Sequence, residues 1–353
     1  MKKISSVEEF ISFRKSILNE SADNTPTLVI SAGTCGQASG ANDVMRIAKR
    51  YIIEHHLHEK ISIRITGCLG FCEIEPFILV EPENYIYPNL KTEDVPGVID
   101  ATVKKDIVKE LMYRENNNDK VYCTLEEIPF YKYQTRTILQ RNQKIDPIRV
   151  FNYFKAEGYS AFEKVISNPD QEWIINEIKK AELRGRGGAG FPTGLKWENA
   201  RNSGNGSGKK FVVCNADEGD PGAYMDRNVL EGNPQLIIEG MIIAGIAIGA
   251  TQGFIYVRSE YPLAIKHSMI AIRQARELGI LGKNILGTNI DFDIEIIRGA
   301  GAFVCGEETA LIKSIEGKMG QPKQRPPFPV FKGIWGCPTS CLLYTSPSPR
   351  DRS

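Results

Sequence analysis

The sequence lacks an excess of charge of either sign, and this limits the partners that we expect for it. Its 353 residues include 44 Lys and Arg against 43 Asp and Glu, which leaves a formal net charge of +1. Such a balance gives the whole chain no electrostatic field that would recruit nucleic acid or an acidic membrane surface. We therefore expect no nucleic-acid partner.

Long hydrophobic runs are also missing. The longest, Gly240 to Ala250, follows Glu239 and is shorter than the roughly 20 residues that cross a bilayer, so we expect no transmembrane segment. Near the start, Glu8 and Glu9 stand where a signal peptide would have an apolar core. We predict a cytoplasmic protein, peripheral to a membrane only within a larger assembly.

Histidine and cysteine are too sparse for several kinds of site. With four histidines, the chain offers no convincing Ser-His-Asp triad or H-E-x-x-H motif. The eight cysteines are spread from Cys35 to Cys341, which favours reduced thiols or metal ligands over a disulfide framework.

Hydrophobic periodicity divides the chain into two α/β units. Up to residue 114 it predicts a thioredoxin-like β-α-β-β-α order, preceded by a helix. The predicted elements are a helix over 6–19, a strand from residue 27, a helix over 42–56, a strand over 61–66, a hairpin over 77–87 and a helix over 92–111. The following residues, 115–150, are predicted to be an extended connector.

Residues 151–340 are predicted to form a layered α/β domain, because helical and strand patterns alternate there. The predicted helices are 160–167, 170–183, 234–249 and 262–278, and the strands start at Phe211, Phe254 and Phe292. Residues 341–353 have no helix or strand pattern and have the character of a non-native tail.

A glycine-rich loop, Gly185-Arg186-Gly187-Gly188-Ala189-Gly190, formally matches G-x-G-x-x-G. The dinucleotide-binding version of this motif follows a strand and has an acidic residue about 20 positions later, but here a helix precedes it and position 210 is Lys. Backbone amides of such a loop could close on phosphate, with Lys196 as a cation and Phe191 or Trp197 as a flat surface. Spacing alone leaves a merely flexible loop equally open.

Acidic and amide side chains follow two of the larger unit's predicted strands. Asn215, Asp217, Glu218 and Asp220 come directly after the Phe211 strand, and the ends of parallel strands are where ligands collect in α/β domains. Glu307 and Glu308 stand in the first turn of a helix expected to start near Gly306. Both groups have ordinary structural explanations, as an Asx-rich turn and as acids at a helix N-terminus.

Cysteines define one further candidate site. Cys68 and Cys72 follow a strand and Cys35 follows another, so an iron–sulfur or zinc site is possible chemistry, since thiolates are ligands of both. A complete site needs four ligands, and only three are seen. An incomplete site or a pair of buried thiols remains open.

Taken together, the runs Gly185–Trp197, Cys214–Ala223 and Gly301–Leu311 resemble the NADH-oxidising flavoprotein subunit of complex I, NAD(P)-linked hydrogenases and formate dehydrogenases. The resemblance covers essentially 120–340. The front domain looks like the thioredoxin-like ferredoxin fused to hydrogenase-type members, which favours a diaphorase subunit of an NADP-reducing or electron-bifurcating hydrogenase.

The resemblance implies FMN and NAD(H) or NADP(H) as cofactors, and it implies contacts for each. The residues for FMN are Gly185, Arg186, Gly187, Lys196, Asn215, Asp217, Glu218, Gly306 and Glu307. Those for the nicotinamide nucleotide are Phe191, Asp220, Glu308, Arg325 and Phe328. Hydride passes between the cofactors in this family, so no catalytic residue is expected, and Glu308 is a candidate contact on the nicotinamide side. The implied partners are iron–sulfur subunits of a hydrogenase, formate dehydrogenase or complex I-like assembly.

Two departures from the family pattern stand out. The front-domain [2Fe–2S] cluster of the family uses C-x4-C and C-x3-C; Cys68 and Cys72 match the second pair, but the first falls on Ser31 and Gly36, with Cys35 one residue away. After Thr339, family members continue through an FMN-binding segment, a ubiquitin-like domain and a helical [4Fe–4S] domain, whose ligands are not found here. We therefore expect an NAD(P)H:acceptor oxidoreductase subunit, with an inactive truncated piece or a thioredoxin-like redox protein as alternatives.

Overall fold

A computed structural model of the chain describes residues 3–20, 25–115, 120–186, 188–204, 208–220, 222–299 and 301–343. Its backbone contacts define two units. The smaller comprises Glu20–Asn152 with Glu231–Asn233, and the larger comprises Met1–Asn19, Tyr153–Leu230 and Pro234–Ser353. Both units combine strands with helices, which confirms the predicted α/β class.

The elements of the described residues are numbered in chain order. The α-helices are α1 (Val7–Asn19), α2 (Thr34–Ala38), α3 (Ala41–Glu54), α4 (Val95–Lys104), α5 (Pro129–Lys132), α6 (Val150–Lys155), α7 (Ser160–Ser167), α8 (Gln171–Lys180), α9 (Thr193–Asn202), α10 (Asp226–Gly232), α11 (Pro234–Ile248), α12 (Pro262–Leu278), α13 (Glu308–Ile315) and α14 (Pro329–Lys332). The strands are β1 (Thr27–Ser31), β2 (Ser62–Thr66), β3 (Ile78–Glu81), β4 (Tyr85–Tyr87), β5 (Tyr113–Arg114), β6 (Val121–Tyr122), β7 (Phe211–Ala216), β8 (Gln252–Arg258), β9 (Asp293–Gly299) and β10 (Thr339–Leu343).

The smaller unit is built on a sheet of order β2-β1-β3-β4, in which β1 pairs parallel with β2 and antiparallel with β3. Alternate residues of β1 point to opposite faces. Leu28 and Ile30 join a buried cluster that includes Val44 of α3 and Val98 of α4. The other face of the sheet needs a cover of its own, because its side chains are apolar as well.

Part of that second cover comes from residues 122–131, which lie within the stretch 115–150 that we expected to form an extended connector. Val29, on the second face of β1, shares a buried cluster with Leu125, Ile128 and Tyr131. The prediction of an extended connector is wrong because apolar residues at irregular spacing can still pack against an apolar sheet face. The helix predicted over 92–111 is also shorter: α4 ends at Lys104, because Lys105 adopts a left-handed backbone conformation.

The larger unit contains a fully parallel sheet of order β10-β7-β8-β9. Every residue of β7 is buried, as is usual for a parallel strand covered on both faces. The apolar run after Glu239 forms the buried helix α11, and the Glu239 carboxylate accepts hydrogen bonds from the backbone amides of Tyr159 (2.9 Å) and Phe162 (3.0 Å). In the part of the chain that the structure describes, no helix has the length and apolar character needed to cross a membrane.

Two predicted boundaries change in this unit. Helix α1 belongs to it, since Phe10 packs on Phe162 with ring centroids 5.4 Å apart. Strand β10 continues to Leu343, paired with β7 at Cys341 and Val213. The expectation of no strand from Cys341 onward is therefore wrong for 341–343, because this apolar stretch extends the sheet; residues 344–353 lie outside the described residues.

Candidate functional site

The parallel strands of the larger unit end at one edge of the sheet, here called the carboxyl edge, next to Asp217 after β7, Arg258 in β8 and Gly299 in β9. Two hydrogen bonds of Asn215 organise this edge. Its side-chain amide donates to the carbonyl of Gly306 (2.8 Å), and its Oδ1 accepts from the backbone amide of Asp217 (3.1 Å). Asn215 therefore connects the end of β7 to the turn before α13.

Asp217 is the buried acid of the carboxyl edge. Within the described residues neither of its carboxylate oxygens has a hydrogen-bond partner. Burial raises the pKa of Asp217 to about 6, with Glu260 adding to the rise and Arg258 opposing it. Two glycines allow the backbone to approach Asp217 closely. A Cβ at Gly299 would lie 3.2 Å from Oδ1, and one at Gly306 would lie 3.2 Å from the Asp217 carbonyl. The carboxylate is thus left to accept hydrogen bonds from a bound molecule.

The neighbouring acid, Glu218, has a different task. Its Oε2 accepts from the backbone amide of Arg227 at 3.0 Å, and its Oε1 accepts from that of Met225. These amides lie at the start of α10, where helix N–H groups lack partners within the helix. Glu218 therefore holds the chain in place, and its carboxylate is already occupied.

A network of charges lies beside the carboxyl edge. Lys196 of α9 forms an ion pair with Glu308 (3.0 Å) and also donates to the carbonyl of Cys341 (2.5 Å). Arg325 pairs with the other oxygen of Glu308 at 3.0 Å and approaches Glu307 at 3.9 Å. The structure thereby brings together four of the residues predicted for the cofactors.

Glu307 also caps α13. Its Oε2 accepts from the backbone amides of Thr309 (2.9 Å) and Ala310 (3.0 Å), so the helix begins at Glu308 and the turn before it contains Gly306. The predicted start near Gly306 is two residues too early, because the acidic side chain at 307 closes the first turn.

The glycine-rich loop is closed at its base. The amide of Gly185 donates to the carbonyl of Phe191 (2.8 Å), and Gly188 and Gly190 have positive φ angles of 90° and 59° that favour glycine. The loop leads into α9, whose N-cap, Pro192, makes no side-chain cap hydrogen bond. Such a helix start suits a phosphate group. Arg186 is half-buried, and Gly187 lies outside the described residues.

The aromatic candidates separate by exposure. Phe191 is 47% exposed and Phe328 is 48% exposed, with the Arg325 guanidinium 5.9 Å from the centre of the Phe328 ring. Both rings are accessible to a nucleotide. Trp197 is only 3% exposed, so it belongs to the core and the alternative that it offers a flat binding surface is wrong. Asp220 is exposed.

Sequence reasoning missed Arg258 and Phe303. A Cβ at Gly219 would lie 2.6 Å from the Phe303 ring and 3.0 Å from the Arg258 guanidinium, so both side chains pack closely on the loop that follows β7. The signal available for Arg258 was its position at the end of a predicted strand. A surface depression of about 480 Å³ lies elsewhere in this unit and is lined by Asp170 and by residues of α8. None of these residues was predicted to bind a cofactor.

The residues of the carboxyl edge fit FMN. They provide a cation, Lys196, and a helix start without a side-chain cap for a phosphate. They also provide a buried carboxylate for hydroxyl groups, that of Asp217, which has no hydrogen-bond partner among the described residues.

The cysteines of the smaller unit form no such set. The Sγ atoms of Cys68 and Cys72 are 3.7 Å apart. However, among the residues described, no three His, Cys, Asp or Glu side chains are grouped so that they could hold a metal ion. The structure therefore does not bring Cys35 into a three-ligand site with Cys68 and Cys72.

Comparison with known proteins shows that part of the larger unit is similar to a known family. Residues 178–337 match the family described as the Nuo51 FMN-binding domain, which confirms the resemblance inferred from the sequence. This segment contains the glycine-rich loop, Asp217 and the charges around Glu308.

Two curated relatives match the chain over a similar stretch. It is 53% identical over 208 residues to the NADP-reducing hydrogenase subunit HndC of Solidesulfovibrio fructosivorans, covering 59% of this chain and 42% of that protein. It is 50% identical over 202 residues to an NADH-quinone oxidoreductase subunit of Aquifex aeolicus, covering 57% and 46% respectively. The chain thus spans less than half of the length of each relative in these matches.

A solved structure is also similar to the chain. The crystal structure of an NAD+-reducing [NiFe]-hydrogenase in the air-oxidised state is 27% identical, covering 94% of this chain and 53% of that one, with a TM-score of 0.47.

Proposed function

We propose that the chain contains the FMN- and nicotinamide-binding part of an NAD(P)H dehydrogenase, or diaphorase, subunit. The observation that carries the proposal is the carboxyl edge itself. A buried carboxylate without a partner among the described residues, Asp217, occurs together with the charge network of Lys196, Glu308 and Arg325, and both fall inside the segment matched to an FMN-binding family.

The roles of the residues follow from their contacts. Lys196 and the amides at the start of α9 would bind the FMN phosphate, while Asp217 would accept hydrogen bonds from ribityl hydroxyls. Asn215 and Glu218 would act by positioning the chain, because their polar atoms already bond to backbone groups.

The nicotinamide nucleotide would lie towards the exposed aromatic side chains. Phe191 and Phe328 offer ring surfaces for stacking, and Arg325 supplies a cation within reach of the same ligand. Glu308 is held between Lys196 and Arg325, so its carboxylate has a fixed orientation for a contact on the nicotinamide side.

Bound FMN accepts a hydride from a nicotinamide and can release electrons singly, a conversion that needs no acid–base pair from the protein. The protein's task would therefore be to hold the flavin and nicotinamide rings against each other. This agrees with the scarcity of histidine, because no acid–base pair is needed. The electrons would pass to iron–sulfur subunits of a hydrogenase- or complex I-type assembly, as the names of the two relatives suggest. A cytoplasmic location, predicted from the sequence, is part of this proposal.

An anaerobic titration tests the proposal directly. The full chain is incubated with FMN, freed of excess flavin, and titrated with NADH or NADPH while its visible flavin absorption is followed. We expect FMN to be retained and its absorption to bleach on addition of one of the two nucleotides. A chain that retains no FMN would contradict the proposal.

A variant separates the two ligands. Arg325→Ala should leave FMN retention intact and raise the NADH or NADPH concentration needed for half-bleaching by about tenfold, the effect expected from losing one charge-assisted contact. Arg276→Ala is the matched control, because Arg276 makes a similar ion pair with Asp293 (2.9 Å) on an exposed surface. Equal curves for the two variants would argue against a nucleotide at Phe328.

A further inference from the structure

The smaller unit does not fit the [2Fe–2S] cluster that the resemblance implies. Two of the four positions that the family fills with cysteine are Ser31 and Gly36 here. A Cβ built on Gly36 would lie 2.5 Å from the carbonyl oxygen of Ser31 and 2.7 Å from Oε2 of Glu75. Real Cβ atoms do not approach other atoms this closely, so a cysteine at position 36 would have no room for its side chain.

Glu75 fills the place between these two positions. Its carboxyl group is buried, and Oε1 accepts a hydrogen bond of 2.6 Å from the Ser31 hydroxyl. Its other oxygen, Oε2, has no hydrogen-bond partner within the described residues. A carboxyl group therefore stands where two thiolates and a cluster would need space.

The remaining cysteines are close to each other. The Sγ atoms of Cys68 and Cys72 are separated by 3.7 Å, and the backbone amide of Gly70 donates to Sγ of Cys68 at 3.2 Å. Gly70 has a φ of +98°, which allows the short loop between the two cysteines to turn back. Cys68 is 1% exposed, whereas Cys72 is only partly buried. The two thiols are placed in contact, with one accessible from solvent.

We propose that Cys68 and Cys72 form a redox-active dithiol that exchanges with a small-molecule disulfide, in the place where related domains hold an iron–sulfur cluster. The thiolate of Cys72, the more exposed partner, attacks one sulfur of the external disulfide and releases one thiol. Cys68 then displaces the second thiol and forms the Cys68–Cys72 disulfide. In total two protein thiols are oxidised, one external disulfide is reduced to two thiols, and the atoms and electrons balance.

Oxidised glutathione and intact-protein mass spectrometry test the proposal on the full chain. Incubation of the folded, reduced protein should give a species lighter by two hydrogens, and peptide mapping should place the new disulfide between Cys68 and Cys72. Dithiothreitol should reverse it. A disulfide mapped to another pair, or no disulfide after long incubation, would overturn the proposal.

Single substitutions distinguish the roles of the two cysteines. In Cys68→Ser, Cys72 should become trapped as a mixed disulfide that adds one glutathione. In Cys72→Ser, the buried Cys68 should react at least tenfold more slowly, a rough expectation from its inaccessibility. Cys123→Ser is the control, because Cys123 is also partly buried but lies outside the pair, and it should form the disulfide like the parent chain. Equal trapping on Cys68 and Cys72 would contradict the assigned order of attack.

Reconstitution of the parent chain with iron and sulfide provides a second readout. The parent chain should develop no stable iron–sulfur absorption after removal of unbound metal. Absorption that persists and disappears in both Cys68→Ser and Cys72→Ser would show that these cysteines hold a cluster, and it would refute the dithiol proposal. This result is independent of FMN retention, so it leaves the proposed function of the larger unit untouched.

Discussion

Two buried carboxyl groups, one in each unit, have different surroundings. Asp217 in the larger unit has both oxygens unpartnered among the described residues, with glycine on either side. Glu75 in the smaller unit accepts a hydrogen bond from Ser31, and its other oxygen would lie 2.7 Å from a Cβ at position 36. The Asp217 carboxylate is buried and is a candidate to bind a ligand, whereas the Glu75 carboxyl group itself fills the space beside Ser31 and Gly36.

The difference teaches that the fold and the ligand site are separate properties. The β2-β1-β3-β4 sheet has a buried core on both faces, although Ser31 and Gly36 stand at two positions where the family pattern has cysteine. The parallel sheet of the larger unit retains both its core and the polar residues at its carboxyl edge. A fold can therefore keep its core while the residues at its candidate site differ, since the core residues and the site residues are different ones.

The largest effect is expected from removing the cation at the open site. Lys196→Ala deletes a charge that would face the FMN phosphate, and a hydrogen bond to a charged group contributes about 1.5–3 kcal/mol. FMN affinity should fall by roughly 10- to 100-fold, measured by quenching of flavin fluorescence on titration with the protein.

Lys180→Ala is the matched control for this substitution. Lys180 forms an ion pair of similar length with Glu177 (2.7 Å), in which both side chains are exposed to solvent. It should leave FMN affinity unchanged. A comparable loss in both variants would mean that the effect arises from general destabilisation and that Lys196 does not bind FMN.

Much of this contrast could be predicted from the sequence. The strands and helices follow hydrophobic periodicity, and the departure at Ser31 and Gly36 is visible as a mismatch with a cysteine pattern. Lys196, Glu308 and Arg325 were also predicted, although 129 positions, from 196 to 325, separate the outer two along the chain. The local pattern indicated Lys196 and Glu308 as candidates, whereas Arg325 and the roles of all three came from the resemblance.

Other features could not be read from the sequence. Periodicity does not reveal that Trp197 faces the core, since α9 has polar and apolar residues mixed around its circumference. Nor does it show that residues 122–131 cover a sheet, or that Glu75 lies beside Gly36, because these contacts join segments that are far apart in sequence. Long-range packing decides them.

A smaller effect is expected at the filled site, in the stability of the smaller unit. Gly36→Ala forces a Cβ against the Ser31 carbonyl and Glu75, and overpacking of this kind costs about 1–3 kcal/mol. Hydrogen-exchange mass spectrometry should show faster exchange in the peptides of β1 and β3. Gly97→Ala, where nothing lies within 4 Å of the added Cβ, should protect these peptides as well as or better than the parent chain. Unchanged exchange in Gly36→Ala would mean that Glu75 moves aside easily, and that the place between Ser31 and Gly36 is open after all.

The smallest effect is expected at Asp217, where stability and FMN binding should change in opposite directions. The pKa of Asp217 is raised from its ordinary 3.8 to about 6, so the folded larger unit binds this proton more tightly than the unfolded chain does. The stabilisation from that proton is fully present below pH 3.8 and is lost as the pH rises through about 6. Asp217→Asn should therefore be slightly more stable than the parent chain above pH 6, yet bind FMN more weakly.

All three tryptophans lie in the larger unit, so their fluorescence during denaturation reports on it. Asp293→Asn changes an acid in an exposed ion pair and should not reproduce this pH dependence. If the difference in unfolding free energy between the parent chain and Asp217→Asn is constant from pH 4 to 8, Asp217 acquires a partner in solution.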